Sequence, residues 1–156
     1  MSSGTPSSAL YFEDCVVGRA VSVAAREVQQ ADLVAFARIT GDLNPLHVDP
    51  EFARRTVFRG TVAHGMYVLS FAAGSMWQSG AFDGTVIAVE AVTSRFVAPV
   101  RPLDRLEVTL VVAALDAQPA ARRGWVQWDV RARNQRGEVV LESEWRVVMA
   151  RRREGT

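Results

Sequence analysis

The side chains most able to do chemistry lie in one short stretch, Thr-Gly-Asp-Leu-Asn-Pro-Leu-His-Val-Asp-Pro at positions 40–50. It places the carboxylates of Asp42 and Asp49 close in sequence to the imidazole of His47. A carboxylate and an imidazole held about 3 Å from one water molecule can add or remove water by general acid–base catalysis. Imidazole suits proton transfer because it titrates near neutral pH. The stretch is therefore a candidate reactive loop.

The backbone of this loop is constrained by glycine and proline. Gly41 permits a left-handed conformation, and Asn44-Pro45 favours a turn. The loop can therefore present Asp42 and His47 to one point. The same residue types also form ordinary turns, in which an aspartate bonds its own backbone. Spacing alone leaves a reactive loop and a structural turn both open.

A second possible chemistry uses the only other histidine, His64. With His47 and Asp49 it would give two histidines and one carboxylate, the ligand set of non-haem iron enzymes. The separation of His47 and His64 by 17 residues argues against this set, because such ligands normally come from distant strands.

The flanking segments predict how the loop is positioned. Leu33, Phe36, Ala37 and Thr40 follow helical spacing, which predicts a helix over 30–40 that ends at Gly41 and lacks a good side-chain N-cap at Gln29-Gln30. Pro50 suits the first residue of a short helix through Arg55. The run 64–80 is apolar on nearly every side, which predicts a helix buried all round. Glycines at 74 and 80 and its short length argue against a membrane span.

Most of the remaining chain alternates between apolar and polar residues, as strands do. The pattern predicts strands over 19–28, over 85–100 in one or two pieces, over 105–114, and around a turn at 134–137 that joins two antiparallel strands. Inward faces are predicted to carry Leu106, Val108, Leu110, Val112, Val126, Trp128, Val130, Ala132, Val139, Leu141, Trp145, Val147 and Met149. Helices first and then enough strands to wrap the buried helix indicate an α+β fold.

Composition limits the class of protein. A chain of 156 residues with net charge +1 fits one domain with no strong attraction for nucleic acid. The single cysteine, Cys15, excludes an intramolecular disulfide framework, fits a cytoplasmic location, and is expected to be half-buried or buried. We expect a disordered tail over 1–9 that is not a signal peptide, one domain over 10–150, and a solvated basic tail over 151–156.

Four segments together resemble the signature of the MaoC-like (R)-specific enoyl-CoA hydratase and dehydratase family. They are Phe-Ala-Arg-Ile-Thr-Gly-Asp-Leu-Asn-Pro-Leu-His (36–47), Val-Asp-Pro-Glu-Phe-Ala (48–53), Ala-His-Gly-Met (63–66) and Arg-Phe-Val-Ala-Pro-Val (95–100). The family's order can be followed over roughly residues 11 to 149. The resemblance implies a hotdog fold, in which a curved antiparallel sheet wraps a long central helix, and a homodimer with an acyl-thioester tunnel near the subunit boundary.

The resemblance also implies roles for particular residues. Asp42 and His47 would be the catalytic pair that activates water, and Asn44 would help to position the pair and the water. Gly65 would donate its backbone N–H to the thioester carbonyl, which agrees with the favourable environment for negative charge at a helix N-terminus. His64 would shape the entrance or form a structural hydrogen bond. No metal or redox cofactor is implied; coenzyme A or an acyl carrier protein is the handle of the substrate.

Three positions depart from the family pattern, and the first is Gln29-Gln30, which replaces the usual threonine or serine before the first helix. Ala73 stands where some relatives carry a serine, so a hydroxyl-dependent step is not expected. Leu103-Asp104 stands where a glycine-aspartate turn is common. The expected reaction is reversible hydration of a trans-2-enoyl thioester to the (R)-3-hydroxyacyl thioester. The alternatives are dehydration of a specialised 3-hydroxyacyl thioester and a non-catalytic acyl-binding subunit of a heterodimer. Thioester hydrolysis and iron-dependent oxygenation are less favoured.

Overall fold

The computed structural model of the chain describes residues 9–117 and 122–152. The predicted disordered tail therefore lies outside the described residues over positions 1–8, as does the predicted basic tail from 153 onwards. The helices are α1 (Gln30–Thr40), α2 (Pro45–Val48), α3 (Pro50–Arg54) and α4 (Gly65–Gln78). The strands are β1 (Ala20–Glu27), β2 (Val86–Phe96), β3 (Arg105–Ala117), β4 (Arg123–Arg133) and β5 (Val139–Ala150).

The five strands form one antiparallel sheet in the order β1-β3-β4-β5-β2. Consecutive strands β3, β4 and β5 are neighbours, and β4 and β5 meet across a turn that ends at Gly137, whose φ is 77°. A left-handed residue at this place favours glycine. The predicted strands and the α+β class are confirmed, and the long segment after Gly84 forms one strand.

The core lies between the inner face of this sheet and helix α4. Every second residue is buried over 106–112 in β3 and over 124–132 in β4, because successive side chains of a strand point to opposite faces. Phe71, Ala72 and Met76 from α4 belong to the same buried cluster as Trp128 and Trp145. This packing fixes the N-terminus of α4 against the sheet, which matters for the reactive loop described below.

Two expectations are wrong. Helix α4 is not buried all round: Met66 is 59% exposed and Trp77 is 49% exposed, because only the face towards the sheet and α1 is covered in a single chain. The start of the basic C-terminal tail is not simply solvated either. Arg151 Nε lies 2.9 Å from Glu13 Oε1, and Arg152 Nη2 lies 2.7 Å from Asp14 Oδ2. The Arg152 guanidinium holds the pKa of the Asp14 carboxyl below its usual value.

Within the described ranges 9–117 and 122–152, every helix is too short or too polar to cross a membrane.

Candidate active site

Helix α1 ends where the reactive loop begins. Gly41 has φ 78° and caps the helix with its N–H bonded to Ala37 O, a left-handed ending that suits glycine. The chain then turns sharply, so that Asp42 N faces Thr40 Oγ1 at 3.3 Å and Asp42 Oδ1 accepts from Asn44 N at 3.3 Å. The Asp42 carboxylate is thereby held at the surface, directly after the helix.

Asn44 starts the short helix that carries His47. Its side-chain Oδ1 accepts a hydrogen bond from Leu46 N at 3.0 Å, and Pro45 occupies the first helical position. Both features favour a helix start. This helix, α2, was not predicted as a separate element. Asn44 thus positions His47 through the backbone. The hydrogen bond to its Oδ1 also sets the orientation of its side-chain NH₂ group.

The tautomer of His47 is set by one backbone carbonyl. His47 Nδ1 lies 2.7 Å from Val62 O, and because a carbonyl oxygen only accepts, Nδ1 carries the proton. The lone pair of neutral His47 is then on Nε2. An imidazole held in this way can accept a proton through Nε2 without rotating.

His64 is buried beneath His47. It is 2% exposed, its ring stacks on His47 with centroids 3.8 Å apart, and Phe36 packs against it with centroids 5.1 Å apart. His64 Nε2 donates to the backbone oxygen of Asp42 at 3.0 Å. The same ring therefore contacts His47 and tethers the Asp42 backbone. The expected structural hydrogen bond is present, but the His64 ring is buried against His47 and does not shape an entrance.

Asp42, His47 and His64 form the one cluster of possible metal ligands found in the described part of the chain, with their ligand atoms within 4.8 Å of one another. The argument that a spacing of 17 residues keeps His47 and His64 from sharing a site is therefore wrong. Helices α2 and α3 fold the intervening segment back, so the two side chains meet. Their rings are stacked with only 30° between the planes. In-plane lone pairs of stacked rings run nearly side by side, whereas imidazoles that share a metal direct theirs to one point.

Asp49 does not belong to this cluster. Its Oδ1 accepts from Glu51 N at 2.9 Å and from Phe52 N at 3.1 Å, which makes it the N-cap of α3. The iron ligand set of His47, Asp49 and His64 is therefore not assembled. The carboxylate beside the two imidazoles is that of Asp42.

Gly65 is the first residue of α4, so its N–H lacks an intrahelical acceptor. The backbone here is approached closely by Phe96 from the end of β2: a Cβ added to Gly65 would lie 3.0 Å from the Phe96 ring. A side chain at this position would displace the ring. Glycine therefore leaves the helix N-terminus accessible beside an aromatic wall.

An apolar cavity of about 380 Å³ opens beside this helix end. Its lining includes His47 and Gly65. Apolar side chains of α2, of the segment between α2 and α4, of α4, of β2 and the residues after it, and of β5 complete the wall. The apolar members are Leu46, Phe58, Val62, Ala63, Val68, Phe96, Val97, Ala98, Pro99, Val100 and Val140. An apolar pocket with few polar groups at one end suits an acyl chain attached to a polar reacting group.

Tyr67 packs against Phe36, the ring that contacts His64. Its ring meets Phe36 edge-on with centroids 5.7 Å apart, and its hydroxyl donates to Asp32 Oδ2 at 3.3 Å. Burial, with a further contribution from Asp32, raises the pKa of Tyr67 to about 12, so this hydroxyl stays protonated. The backbone N–H of Gln29 faces Asp32 Oδ2 at 3.4 Å, while Gln29 itself supplies no side-chain cap, as the sequence indicated.

The structure thus brings Asp42 and His47 together with His64, and places His47 and Gly65 on one cavity. Asp42 and Asn44 are adjacent to the cavity lining but not part of it. Sequence reasoning missed the central position of His64 and the contact of Phe96 with Gly65. The only signal for the first was the placement of both histidines near the ends of two predicted helices.

Comparison with known proteins adds three findings. A family model described as MaoC like domain matches residues 14–127. The chain is 36% identical to a 3-hydroxybutyryl-CoA dehydratase of Methylorubrum extorquens over 93% of its own length and 87% of that protein. It is 32% identical to an (R)-specific enoyl-CoA hydratase of Rhodospirillum rubrum over 67% of its own length and 71% of that protein.

Solved structures give the same result for the fold. The crystal structure of a MaoC-like dehydratase from Rhodospirillum rubrum superposes with a TM-score of 0.81 and 32% identity, covering 92% of this chain and 99% of that one. The long α4 against an antiparallel sheet is therefore the hotdog fold, as the resemblance implied.

Proposed function

The chain belongs to the MaoC-like domain family, and on that premise we propose that it is a hydro-lyase that interconverts trans-2-enoyl thioesters and (R)-3-hydroxyacyl thioesters. The observation that carries the proposal is the placement of a carboxylate and an imidazole, Asp42 and His47, beside an apolar cavity with the helix N-terminus at Gly65. The relatives named above act on substrates of this class.

In the proposed hydration step, water lies between Asp42 and His47. His47 Nε2 accepts a proton from the water while the water oxygen forms a bond to the β-carbon. Asp42 and His47 then deliver a proton to the α-carbon. Negative charge develops on the thioester oxygen, and the Gly65 N–H stabilises it. The reverse sequence dehydrates a 3-hydroxyacyl thioester with the same groups. The step consumes one water and needs no oxidant or reductant.

The acyl group would lie in the apolar cavity. Phe96 and Val68 give this cavity an apolar wall close to Gly65, so a short or medium chain can leave water as its β-carbon approaches His47. Coenzyme A or an acyl carrier protein serves as the handle. A cytoplasmic location stays a prediction that rests on the single cysteine.

A homodimer is proposed from the edge of the sheet. Strand β2 is an edge strand, and its exposed side chains include the large apolar residues Ile87, Val89 and Val92. Such an edge is unfavourable in water unless another strand pairs with it. Pairing of two β2 strands about a twofold axis would give an isologous contact and cover Phe96 beside the cavity. Light scattering should then give twice the 17.1 kDa of one chain.

The experiment that tests the function measures loss of enoyl absorbance from crotonyl-CoA and longer trans-2-enoyl-CoAs, with chiral analysis of the product and a parallel assay for free thiol. We expect the (R)-3-hydroxyacyl thioester and no thiol release. Release of thiol would indicate hydrolysis instead. No turnover by the folded dimer with any of these substrates would contradict the proposal and favour a non-catalytic acyl-binding subunit.

A further inference from the structure

A second cleft, of about 350 Å³, lies next to the apolar cavity and is basic. Three arginines line it, Arg54, Arg59 and Arg101, and no carboxylate does. Gln30 and Thr61 add neutral polar groups to its wall. Guanidinium groups stay charged at any physiological pH and bind phosphate oxygens through paired N–H groups. The lining therefore fits an anion with several phosphate oxygens.

Arg59 is held in an unusual conformation at this cleft. Its φ is 57°, in the left-handed region that long side chains rarely adopt. Its backbone N–H bonds Thr56 O at 3.1 Å, but its guanidinium has no partner among residues 9–117 and 122–152. Strained conformations that persist in a fold are concentrated at functional sites. Arg59 therefore brings an unpaired guanidinium to a cleft whose lining contains no carboxylate.

Arg101 is built into the wall. It is half-buried, and its Nη2 donates to Phe58 O at 2.5 Å. A Cβ added to Gly60 would lie 3.4 Å from Arg101 Nη1, so this guanidinium packs close to the backbone at Gly60. Arg54 is only weakly engaged, because its 2.6 Å ion pair with Glu51 is exposed and therefore weak.

The cleft and the cavity share their walls. Phe58 and Val62 line the apolar cavity, whereas the residues between them, 59–61, line the basic cleft. Val100 and Arg101 divide in the same way. Gln30, which lines the cleft, directs its Nε2 to His47 O at 3.4 Å. A thioester bound with its acyl group in the cavity therefore has a basic surface immediately behind the same loop.

We propose that this cleft, lined by Arg54, Arg59 and Arg101, binds the phosphate groups of a coenzyme A handle. The inference rests on the proposed function and deepens it by choosing between two handles. Coenzyme A brings a diphosphate and a phosphomonoester, whereas a carrier protein brings a single phosphodiester. A cleft lined by three guanidinium groups favours the more highly charged ligand, because each guanidinium can add a charge-assisted hydrogen bond to a phosphate oxygen.

The test compares crotonyl-CoA with crotonyl-pantetheine, which has the same reacting group and no phosphate. The variant is Arg59→Asn, because asparagine tolerates the left-handed conformation at this position. The control is Arg55→Ala, which removes a neighbouring exposed arginine that does not line the cleft. For crotonyl-CoA we expect KM to rise about 10-fold or more in Arg59→Asn, the size of one charge-assisted hydrogen bond, with kcat nearly unchanged.

With crotonyl-pantetheine, Arg59→Asn should match the wild type, and Arg55→Ala should match it with both substrates. Equal effects of the two variants, or an equal loss on both substrates, would overturn the proposal. If the wild type hydrates both small thioesters and Arg59→Asn changes neither, only the phosphate site is refuted. If the wild type hydrates neither, the proposed function itself fails.

Discussion

Replacement of His64 tests how the reactive loop is held in position. The ring has two separable contacts: its Nε2–H donates to Asp42 O at 3.0 Å, and its face stacks on His47 at 3.8 Å. His64→Phe keeps a ring for stacking but loses the donor. His64→Gln keeps a donor of similar reach but loses the ring. The pair of variants therefore separates the tether of Asp42 from the support of His47.

The expected magnitude follows from these contacts. In His64→Phe the loss of one hydrogen bond to an accessible carbonyl costs about 0.5–1.5 kcal/mol. His64→Gln keeps a donor and loses ring packing instead, and both variants should fold. Catalysis is more sensitive, because a displacement of about 1 Å in a reacting group can lower the rate about 100-fold. We expect kcat for hydration of crotonyl-CoA to fall about 10- to 100-fold in both variants, with KM nearly unchanged, because neither contact touches the substrate.

The assay is steady-state hydration of crotonyl-CoA, with kcat and KM measured separately for each variant. Phe36→Leu is the matched control, because the Phe36 ring packs against His64 with centroids 5.1 Å apart and its side chain forms no hydrogen bond. Wild-type kcat in folded His64→Phe would show that the Asp42 backbone needs no tether. A loss in Phe36→Leu as large as in both variants would show that general packing accounts for the effect.

Three further predictions concern stability and reactivity. Leu103 has φ 72° and is 67% exposed, so Leu103→Gly should raise the unfolding free energy measured in urea by about 1 kcal/mol, and an unchanged or lower value would contradict the assigned strain. Trp145 is 1% exposed and bonds Ser143 Oγ, so Trp145→Ala should lower the same free energy by about 3–5 kcal/mol, whereas a change near zero would contradict its place in the core. Burial raises the pKa of the Cys15 thiol to about 11, so at pH 8 it stays protonated and should react with a thiol reagent only after unfolding; immediate labelling of the native protein would refute this.

Local patterns predicted the elements well because their causes are local. The spacing of Leu33, Phe36 and Ala37, followed by Gly41, gave helix α1 with both of its ends. Strict alternation in β3 and β4 gave their buried faces, since one face of each strand packs on the core. The turn at 134–137 followed from its asparagine and glycine.

Features that depend on tertiary contacts were not predictable in this way. The stacking of His47 on His64 requires α2 and α3 to fold the chain back, and the sequence indicated only that both histidines lie near the ends of predicted helices. The ion pairs of Arg151 and Arg152 join positions at opposite ends of the domain. The exposed side of α4 was misjudged because apolar composition alone does not distinguish a core from a surface that a second chain could cover.

The departure at Leu103-Asp104 has a structural consequence. Leu103 adopts the left-handed conformation that glycine would adopt without strain, while Asp104 is buried and accepts from Arg101 N at 2.8 Å and Gln135 Nε2 at 2.8 Å. The aspartate holds the turn despite the leucine. The turn therefore forms with leucine in a left-handed conformation at a cost in stability, which the Leu103→Gly prediction measures.

The measurement that tests the central claim most directly is hydration of crotonyl-CoA by Asp42→Asn and His47→Gln beside the wild type. Both variants are close in size to the native residues, and circular dichroism and light scattering would establish that each folds and assembles as the wild type does. Because the two side chains are proposed to act on one water, each single variant should lose at least about 100-fold in kcat, the lower range of general acid–base catalysis, with the (R)-product from any residual turnover. Retention of wild-type kcat by either folded variant would contradict the assignment of that residue to the reaction.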